Sequence, residues 1–309
     1  MSRSEWRGYT LLVLSASGFG VMAVMAHLAY GGGANVPTLM FLRFTIASAI
    51  LWSLLAWRRD LPRLDARTLI ILVLMGAVGY AGQATCYFNS LTYIPAALTA
   101  MLLYLYPLLV ALLSWAFLGH ALTRLQAVAL LFTLSGLGLM LWQNGLHLAY
   151  SPVGVALGAG AGVIYAIYIV VGGVAMKQAS ALHASTIIMT AAAATFLVAG
   201  VSTGSLHFHL SLLGWVGVLG LVAFGTLLAI LTFMAGLQLV GPTRASIVSA
   251  LEPVVTVLTA WAFLGEALGG RQWLGAGLAL VGTFLVQVPT RERHQPRAHP
   301  ALRWRRHQA

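Results

Sequence analysis

Residues 107–122 read PLLVALLSWAFLGHAL, and residues 253–268 read PVVTVLTAWAFLGEAL. An offset of 146 positions aligns the two stretches without a gap, and it also places Trp115 on Trp261 and Gly136 on Gly282. The same offset carries the other apolar runs of the first half onto apolar runs in the second half. Because self-similarity at a fixed offset is the signature of a repeated structural unit, we expect two copies of one unit.

The composition indicates an integral membrane protein. Hydrophobic residues make up 60% of the chain and charged residues only 7%, whereas about 25% of an ordinary soluble domain is charged. A membrane-spanning helix needs roughly 20 apolar residues, and long runs without strand-like alternation favour helices over a barrel. The runs are residues 8–30, 36–57, 68–89, 97–118, 122–142, 152–173, 184–202, 212–234, 243–264 and 272–289.

The number of runs predicts how the two copies are oriented. Each half holds five runs, and an odd number of crossings makes the second half enter the membrane from the opposite face. Repeats of inverted topology are typical of secondary transporters, whose site lies between the halves near the midplane. We therefore predict an all-α integral membrane protein of ten transmembrane helices in two inverted five-helix repeats, residues 1–149 and 150–289, with a basic tail at residues 290–309.

Positive charge predicts the orientation in the membrane. Arginines cluster at the N-terminus, after the second run and in the tail, which we expect to be disordered, whereas 31–35, 90–95, 143–151 and 203–211 contain no Lys or Arg. By the positive-inside rule, both termini are cytoplasmic. The net charge of +11 then belongs to a solvated, lipid-facing cytoplasmic end, and a nucleic-acid partner is the less favoured alternative.

Two longer stretches resemble a known transporter family. They are ALTAMLLYLYPLLVALLSWAFLG at 97–119 and ASIVSALEPVVTVLTAWAFLGEAL at 245–268. Both are similar to the ten-helix drug/metabolite transporter superfamily in its EamA branch, and the resemblance covers residues 8–288. The first copy departs from the pattern, since Tyr106 stands where the second has Glu252, and His120 where it has Glu266.

The resemblance implies a function and a site. Members of the family export amino acids and other metabolites across a bacterial inner membrane, and the aromatic content here most resembles the YddG type, which exports aromatic amino acids. The resemblance also implies a central cavity lined by the third, fourth, eighth and ninth helices, with parts of the first and sixth.

Glu252 is the only acidic residue in the middle of a predicted span. Pro253 leaves a backbone carbonyl free one turn earlier and bends the helix, and Pro107 is its counterpart in the first copy. A carboxylate beside a broken helix would suit a coupling proton or a substrate ammonium group. The alternative is a structural carboxylate, satisfied by nearby donors or paired with Arg43.

Arg43 is the only strongly basic residue in mid-span. Its guanidinium could clamp a substrate carboxylate, because it forms two parallel hydrogen bonds to such a group. An ion pair, or a side chain extending to the membrane interface, is the structural alternative.

Tyrosines mark the walls of the predicted site. Tyr80, Gln83 and Tyr87 fall at i, i+3 and i+7 and share one helix face. Tyr104 and Tyr106 lie two residues apart, so they point to different sides unless the adjacent proline distorts the turn. A midplane tyrosine hydroxyl needs a hydrogen-bond partner and should face a partner or a cavity. The predicted substrate-binding residues are Tyr80, Gln83, Tyr87, Tyr104, Tyr106, Tyr165 and Glu252.

Small residues recur along the sixth run. Gly154, Gly158 and Gly162 are spaced four residues apart. This stripe predicts close packing of the sixth helix against a neighbour.

The function favoured by the sequence is secondary transport of a small amphipathic substrate by alternating access. A multidrug or other metabolite efflux carrier is the alternative within this class. The chain has no Walker motif, no HExxH and no GxSxG with catalytic partners, so an ATP-driven pump and an intramembrane enzyme are disfavoured. A channel is disfavoured because channels usually assemble symmetric subunits. The lone Cys86 excludes a cysteine metal set. We expect no cofactor or metal, and a monomer whose partners are the bilayer and a small-molecule substrate.

Overall fold

The computed structural model of the chain describes residues 3–62, 64–118, 124–141, 150–175, 179–240, 245 and 248–287, and over these residues it is helical, without β-strands. The predicted tail at 290–309 lies outside the described residues. In chain order the helices are α1 Arg3–Gly20, α2 Met22–Gly31, α3 Val36–Trp57, α4 Ala66–Leu74, α5 Ala81–Ser90, α6 Ala96–Leu103, α7 Tyr106–Leu118, α8 Arg124–Leu141, α9 Pro152–Ala175, α10 Ala181–Ser202, α11 Leu212–Val222, α12 Ala229–Val240, α13 Leu251–Leu264 and α14 Gly270–Gln287.

These helices follow the predicted runs closely. The second run, 36–57, has the bounds of α3, and the sixth, 152–173, falls within α9. Within the described residues, seven continuous helical segments are long and apolar enough to cross a membrane, and Ala127–Met140 and Leu251–Leu264 are shorter apolar helices. The prediction of an all-helical, membrane-spanning architecture is therefore confirmed.

Several runs are interrupted in ways that the apolar pattern did not predict. The first run breaks at Val21 between α1 and α2. The third and eighth runs each contain a π-helical turn, π1 (Met75–Tyr80) between α4 and α5, and π2 (Ala223–Leu228) between α11 and α12. π-helical turns disturb the regular hydrogen-bond ladder of a helix and are frequent at functional sites.

The second and seventh predicted helices, α3 and α10, pack against each other in antiparallel fashion. The N-terminal turn of α3 lies beside the segment that follows α10, since the Thr38 hydroxyl accepts a hydrogen bond from the His207 N–H at 2.9 Å. Farther along α3, the Trp52 indole N–H donates to the Thr190 hydroxyl at 2.9 Å. Residue numbers therefore rise along one helix as they fall along the other.

The fifth and tenth predicted helices, α8 and α14, form a second antiparallel pair. Gly136 of α8 faces Gly275 of α14, whereas Gly282 of α14 faces Thr133 of α8. A Cβ at Gly275 would lie 2.6 Å from the Gly136 carbonyl oxygen, so the two backbones are in close contact. Small side chains permit such an approach in a membrane, where packing rather than hydrophobicity holds helices together.

The glycine stripe of the sixth run is a packing face, as predicted. A Cβ at Gly158 would lie 2.8 Å from the Leu102 Cδ1, and one at Gly162 would lie 2.9 Å from the Leu102 carbonyl oxygen. α9 thus packs closely against α6, the first half of the fourth predicted helix. This contact brings the residues of α9 beside the break between α6 and α7.

Candidate functional site

A cavity of about 80 Å³ lies at the centre of the bundle, between helices of the two halves. All seven residues predicted to bind substrate contribute to its wall, and so does Arg43. The lining residues are Phe19, Met22, Arg43, Tyr80, Gln83, Tyr87, Phe88, Leu103, Tyr104, Tyr106, Tyr165 and Glu252. The structure therefore brings the predicted residues together, although their role in substrate binding stays a prediction.

The break between α6 and α7 aims two tyrosines into this cavity. α6 ends at Leu103 and α7 begins at Tyr106, one residue before Pro107. Side chains two residues apart on a regular helix diverge, but here the rings of Tyr104 and Tyr106 lie 5.5 Å apart between centroids and both line the cavity. The sequence did not decide whether Pro107 distorts this turn. The structure shows that the turn is distorted.

The Tyr104 hydroxyl meets the backbone carbonyl that Pro253 leaves free. Proline has no N–H, so Pro253 cannot donate to the carbonyl of Ser249 four residues earlier. The Tyr104 hydroxyl lies 3.2 Å from the Ser249 carbonyl oxygen and donates to it. The fourth helix thus satisfies a backbone group of the ninth, across the two halves of the chain.

Glu252 lies in the first turn of α13, beside this contact. Its side chain lines the cavity together with Tyr104. The position at the beginning of a helix favours a negative charge, because the N-terminal N–H groups carry partial positive charge. The helix break therefore creates a place in the membrane interior that can hold a carboxylate.

Arg43 is buried in the same wall, with only 3% of its surface exposed. Its Nε donates to the Thr226 hydroxyl at 2.9 Å, and its Nη2 lies 3.4 Å from the Gly225 carbonyl oxygen. The guanidinium carbon lies 5.2 Å and 5.3 Å from the ring centroids of Phe44 and Phe88. Both polar partners belong to π2, so this π-helical turn holds the arginine through neutral groups.

A direct charge pair between Arg43 and Glu252 is not formed. No nitrogen of Arg43 lies within 4.0 Å of a carboxylate oxygen among the residues that the structure describes. The cavity wall consequently contains a guanidinium and a carboxyl group that do not neutralise each other by contact. Neither structural alternative for Arg43 is therefore observed. The ion pair is absent, and the side chain is buried instead of extending to the membrane interface.

Aromatic rings form a continuous series that includes three cavity-lining tyrosines. The centroids of Tyr106 and Tyr165 lie 4.7 Å apart in an edge-to-face arrangement, and Tyr165 stacks on Tyr168 at 5.9 Å. Tyr168 continues to Tyr80 at 6.1 Å, and Tyr80 to Phe44 at 5.2 Å. Tyr80, Tyr106 and Tyr165 line the cavity, whereas Tyr168 and Phe44 do not. Aromatic pairs at these separations stabilise one another, so the series supports the ring-lined part of the wall.

A carboxylate at one end of α6 was not assigned a role by the sequence. Glu266, which follows α13, accepts hydrogen bonds from the Ala96 N–H at 2.6 Å and the Ala97 N–H at 3.1 Å. Pro95 precedes α6 and offers no capping side chain. Glu266 therefore caps α6, and together with the Tyr104–Ser249 bond it makes α6 and α13 a third antiparallel pair.

The helices that line the cavity differ in part from those implied by the family resemblance. α3 contributes Arg43, which the resemblance did not place in the wall, whereas the described residues of α11, π2 and α12 contribute no lining side chain. The eighth predicted helix contributes indirectly, because π2 binds the Arg43 side chain that lines the cavity. Phe19 and Met22 also line the cavity, and no sequence signal marks the break at Val21 that lies between them.

Comparison with known proteins identifies the family. The model of the EamA-like transporter family matches the chain twice, over residues 6–142 and 152–288. The chain belongs to this family. It is a multi-pass membrane transporter of the EamA type, as the resemblance in the sequence implied.

Relatives of this EamA transporter span nearly its whole length. An uncharacterized transporter of Archaeoglobus fulgidus is 28% identical over 90% of this chain and 96% of its own. The uncharacterized transporter YcbK of Bacillus subtilis is 26% identical over 92% of each chain. The uncharacterized inner membrane transporter YedA of Escherichia coli K12 is 28% identical over 82% of each chain.

A solved structure shares the fold of the EamA transporter. It is a crystal structure of a protein that superposes with a TM-score of 0.66, covering 92% of this chain and 98% of that one. Since its sequence is 21% identical, the likeness concerns the fold alone.

Proposed function

We propose that this EamA transporter exports small amphipathic metabolites, amino acids with aromatic side chains among them, by alternating access around the central cavity. One observation carries the proposal: the cavity wall holds Arg43 and Glu252 without an ion pair between them, and tyrosine rings surround the same space. A solute with a carboxylate, an ammonium group and an apolar ring is complementary to all three features.

The charges support an amphipathic substrate. A buried ion without a counter-ion carries an effective penalty of several kcal/mol. A substrate carboxylate at Arg43 would accept charge-assisted hydrogen bonds from the guanidinium, whose partners among the described residues are neutral. A substrate ammonium group at Glu252 would be stabilised in the same way, so that substrate binding neutralises both sides of the cavity.

The rings support an aromatic or otherwise apolar side chain on the substrate. Tyr104, Tyr106 and Tyr165 present successive rings to the cavity. A ring placed among them gains about 0.5–1.5 kcal/mol per aromatic contact beyond simple burial. This wall is the basis for an export specificity of the YddG type.

The packing of the two halves supports alternating access between inverted repeats at 1–149 and 150–289. The pairs α3–α10, α6–α13 and α8–α14 join like-numbered predicted helices of the two copies in antiparallel fashion. The cavity of about 80 Å³ is smaller than the roughly 300–1,000 Å³ of typical ligand pockets. Binding an amino acid therefore requires the helices to move apart, and the break at Tyr104 and the π-helical turns are sites where they can bend.

Counterflow in proteoliposomes tests the proposal. With unlabelled phenylalanine inside, we expect saturable uptake of labelled phenylalanine that exceeds uptake into protein-free liposomes. Arg43→Met should abolish this uptake, and Arg43→Lys should restore part of it, because lysine keeps the charge but not the planar pair of donors. Uptake without counterflow would indicate a channel, and no uptake of any aromatic amino acid would refute the substrate class.

A second variant distinguishes two roles of Glu252. If its carboxyl carries a coupling proton, Glu252→Gln should make net export insensitive to a pH gradient while counterflow persists. If the carboxylate binds the substrate ammonium group, the same change should weaken counterflow itself. Full gradient dependence with unchanged counterflow would show that Glu252 has neither role.

A further inference from the structure

A second cavity lies away from the central one, on the surface between α3, α4 and α10. It is a groove of about 430 Å³ with a mainly apolar wall. Its lining residues are Trp52, Pro62, Leu64, Leu69, Val73, Ile187, Thr190, Ala191 and Ala194. The one pair of polar groups in the wall is already bonded, since the Trp52 N–H donates to the Thr190 hydroxyl at 2.9 Å. The groove therefore suits an apolar occupant.

The groove is long enough to hold much of an acyl chain. Its wall includes Pro62 and Leu64 of the loop that joins α3 to α4, and it extends along α10 from Ile187 to Ala194. The rise along α10 from Ile187 to Ala194 is about 10 Å. Half of a hydrocarbon core is about 15 Å thick, so this wall covers about two-thirds of the depth of one leaflet.

The loop at the open end of the groove is fixed in place. His183 on α10 pairs with the Asp60 carboxylate at 3.3 Å. Asp65 caps α4 by accepting from the Thr68 N–H at 3.2 Å, and its hydrogen bonds to Thr68 lower the pKa of the Asp65 carboxyl. Both acidic residues of the loop are thus engaged by neighbours.

Three arginines lie close in sequence to the loop residues that line the groove. Arg58 and Arg59 directly follow α3, and Arg67 lies in the first turn of α4; all three side chains are exposed. They lie within a few residues of Pro62 and Leu64, which line the groove. A basic cluster at the membrane surface attracts anionic lipid headgroups, so the apolar groove ends at a site for a phosphate.

We propose that this groove binds an anionic phospholipid, with one acyl chain between α3, α4 and α10 and the phosphate at Arg58, Arg59 and Arg67. The proposal is independent of the transport function, because the groove shares no lining residue with the central cavity. It also does not depend on which face of the membrane the loop occupies.

Native mass spectrometry of the delipidated protein tests the site by titration with phosphatidylglycerol and phosphatidylcholine. We expect phosphatidylglycerol to bind more tightly, and each arginine removed to weaken it roughly fivefold. Arg58→Ala, Arg59→Ala and Arg67→Ala together should therefore weaken phosphatidylglycerol binding about a hundredfold. Phosphatidylcholine binding should weaken far less, because its choline group offsets the phosphate charge. Ala194→Phe, which fills the groove, should weaken both lipids.

Two matched variants control for general effects. Arg124→Ala removes an exposed arginine at the beginning of α8, and Ala199→Phe adds a ring to an exposed position of α10 outside the groove. Neither should change lipid binding. Equal affinity for the two lipids, or wild-type binding by the triple arginine variant, would overturn the proposal. The triple variant changes only exposed side chains, so it still tests the proposal if Ala194→Phe does not fold.

Discussion

At the scale of single residues, Tyr104 links the chemistry of the cavity to the structure of the helices. Its ring forms part of the wall, whereas its hydroxyl satisfies the Ser249 carbonyl that Pro253 leaves without a donor. A buried carbonyl that loses its donor costs about 1–3 kcal/mol. One side chain therefore has two separable contributions, a ring that contacts substrate under our proposal and a hydroxyl that joins the two halves.

The two contributions of Tyr104 can be measured separately. Tyr104→Phe keeps the ring, so we expect an unchanged apparent affinity for an aromatic substrate but a lower melting temperature in detergent. Tyr104→Ala removes the ring as well and should weaken the apparent affinity several-fold, since each aromatic contact contributes about 0.5–1.5 kcal/mol. Tyr165→Ala should weaken affinity to a similar degree.

Tyr93 provides the control for these variants. It is 54% exposed and does not line the cavity, so Tyr93→Ala should leave substrate affinity unchanged. Unchanged transport after removal of both Tyr104 and Tyr165 rings would mean that substrate does not contact this wall.

At the scale of helices, the sequence predicted where the helices lie but not how they are broken. Periodicity in the sequence showed the apolar runs, and it placed Tyr80, Gln83 and Tyr87 on one helix face. All three residues line the cavity. A π-helical turn preserves apolar character and leaves no mark in such a pattern. Neither the apolar runs nor the residue spacing predicted where the Arg43 side chain lies. Its position depends on which residues of π2 face α3.

The two tyrosines before Pro107 show a similar limit of local sequence. Their spacing alone predicted divergent side chains, and only the proline indicated a distortion. The direction of that distortion depends on contacts between α6, α9 and α13, which bring together residues distant in the chain. Local sequence could therefore identify the site residues of this segment without giving their relative orientation.

Close packing between α9 and α6 makes a testable contribution to stability. A Cβ at Gly162 would lie 2.9 Å from a backbone oxygen of Leu102, and backbone atoms cannot rotate away. We expect Gly162→Ala to destabilise the protein by about 1–3 kcal/mol, as overpacking in well-packed interiors does. The measurement is the melting temperature of the purified protein in detergent.

Gly160, on the same helix, is the matched control. A Cβ there would lie 3.8 Å from the Cys86 sulfur, which is ordinary van der Waals contact. Gly160→Ala should therefore leave stability unchanged or raise it slightly, because alanine favours the helix more than glycine does. Equal melting temperatures for the two variants would show that α9 and α6 can separate without cost.

At the scale of the whole molecule, two observations bear on how the two copies are related. The family model matches each half of the chain, and equivalent helices of the two halves pack in antiparallel fashion. If each copy crosses the membrane five times, equivalent loops of the two copies lie on opposite faces. The charge asymmetry then decides which face is cytoplasmic, since Arg58, Arg59 and Arg67 share one loop while 143–151 contains no Lys or Arg. The orientation in the membrane is thus predicted from charge alone. Helix packing indicates only that equivalent loops of the two copies lie on opposite faces.

Thiol labelling in intact cells tests that orientation. In a Cys86→Ser background, which removes the only native cysteine, we expect Ser151→Cys to react with a membrane-impermeant maleimide and Ser180→Cys to react only after the cells are opened. Ser151 and Ser180 flank α9 at its two ends, so one helix crossing separates the two labels. The reverse pattern would invert the orientation, whereas labelling of both from outside would show that α9 does not cross the membrane and would remove the basis for two five-helix repeats.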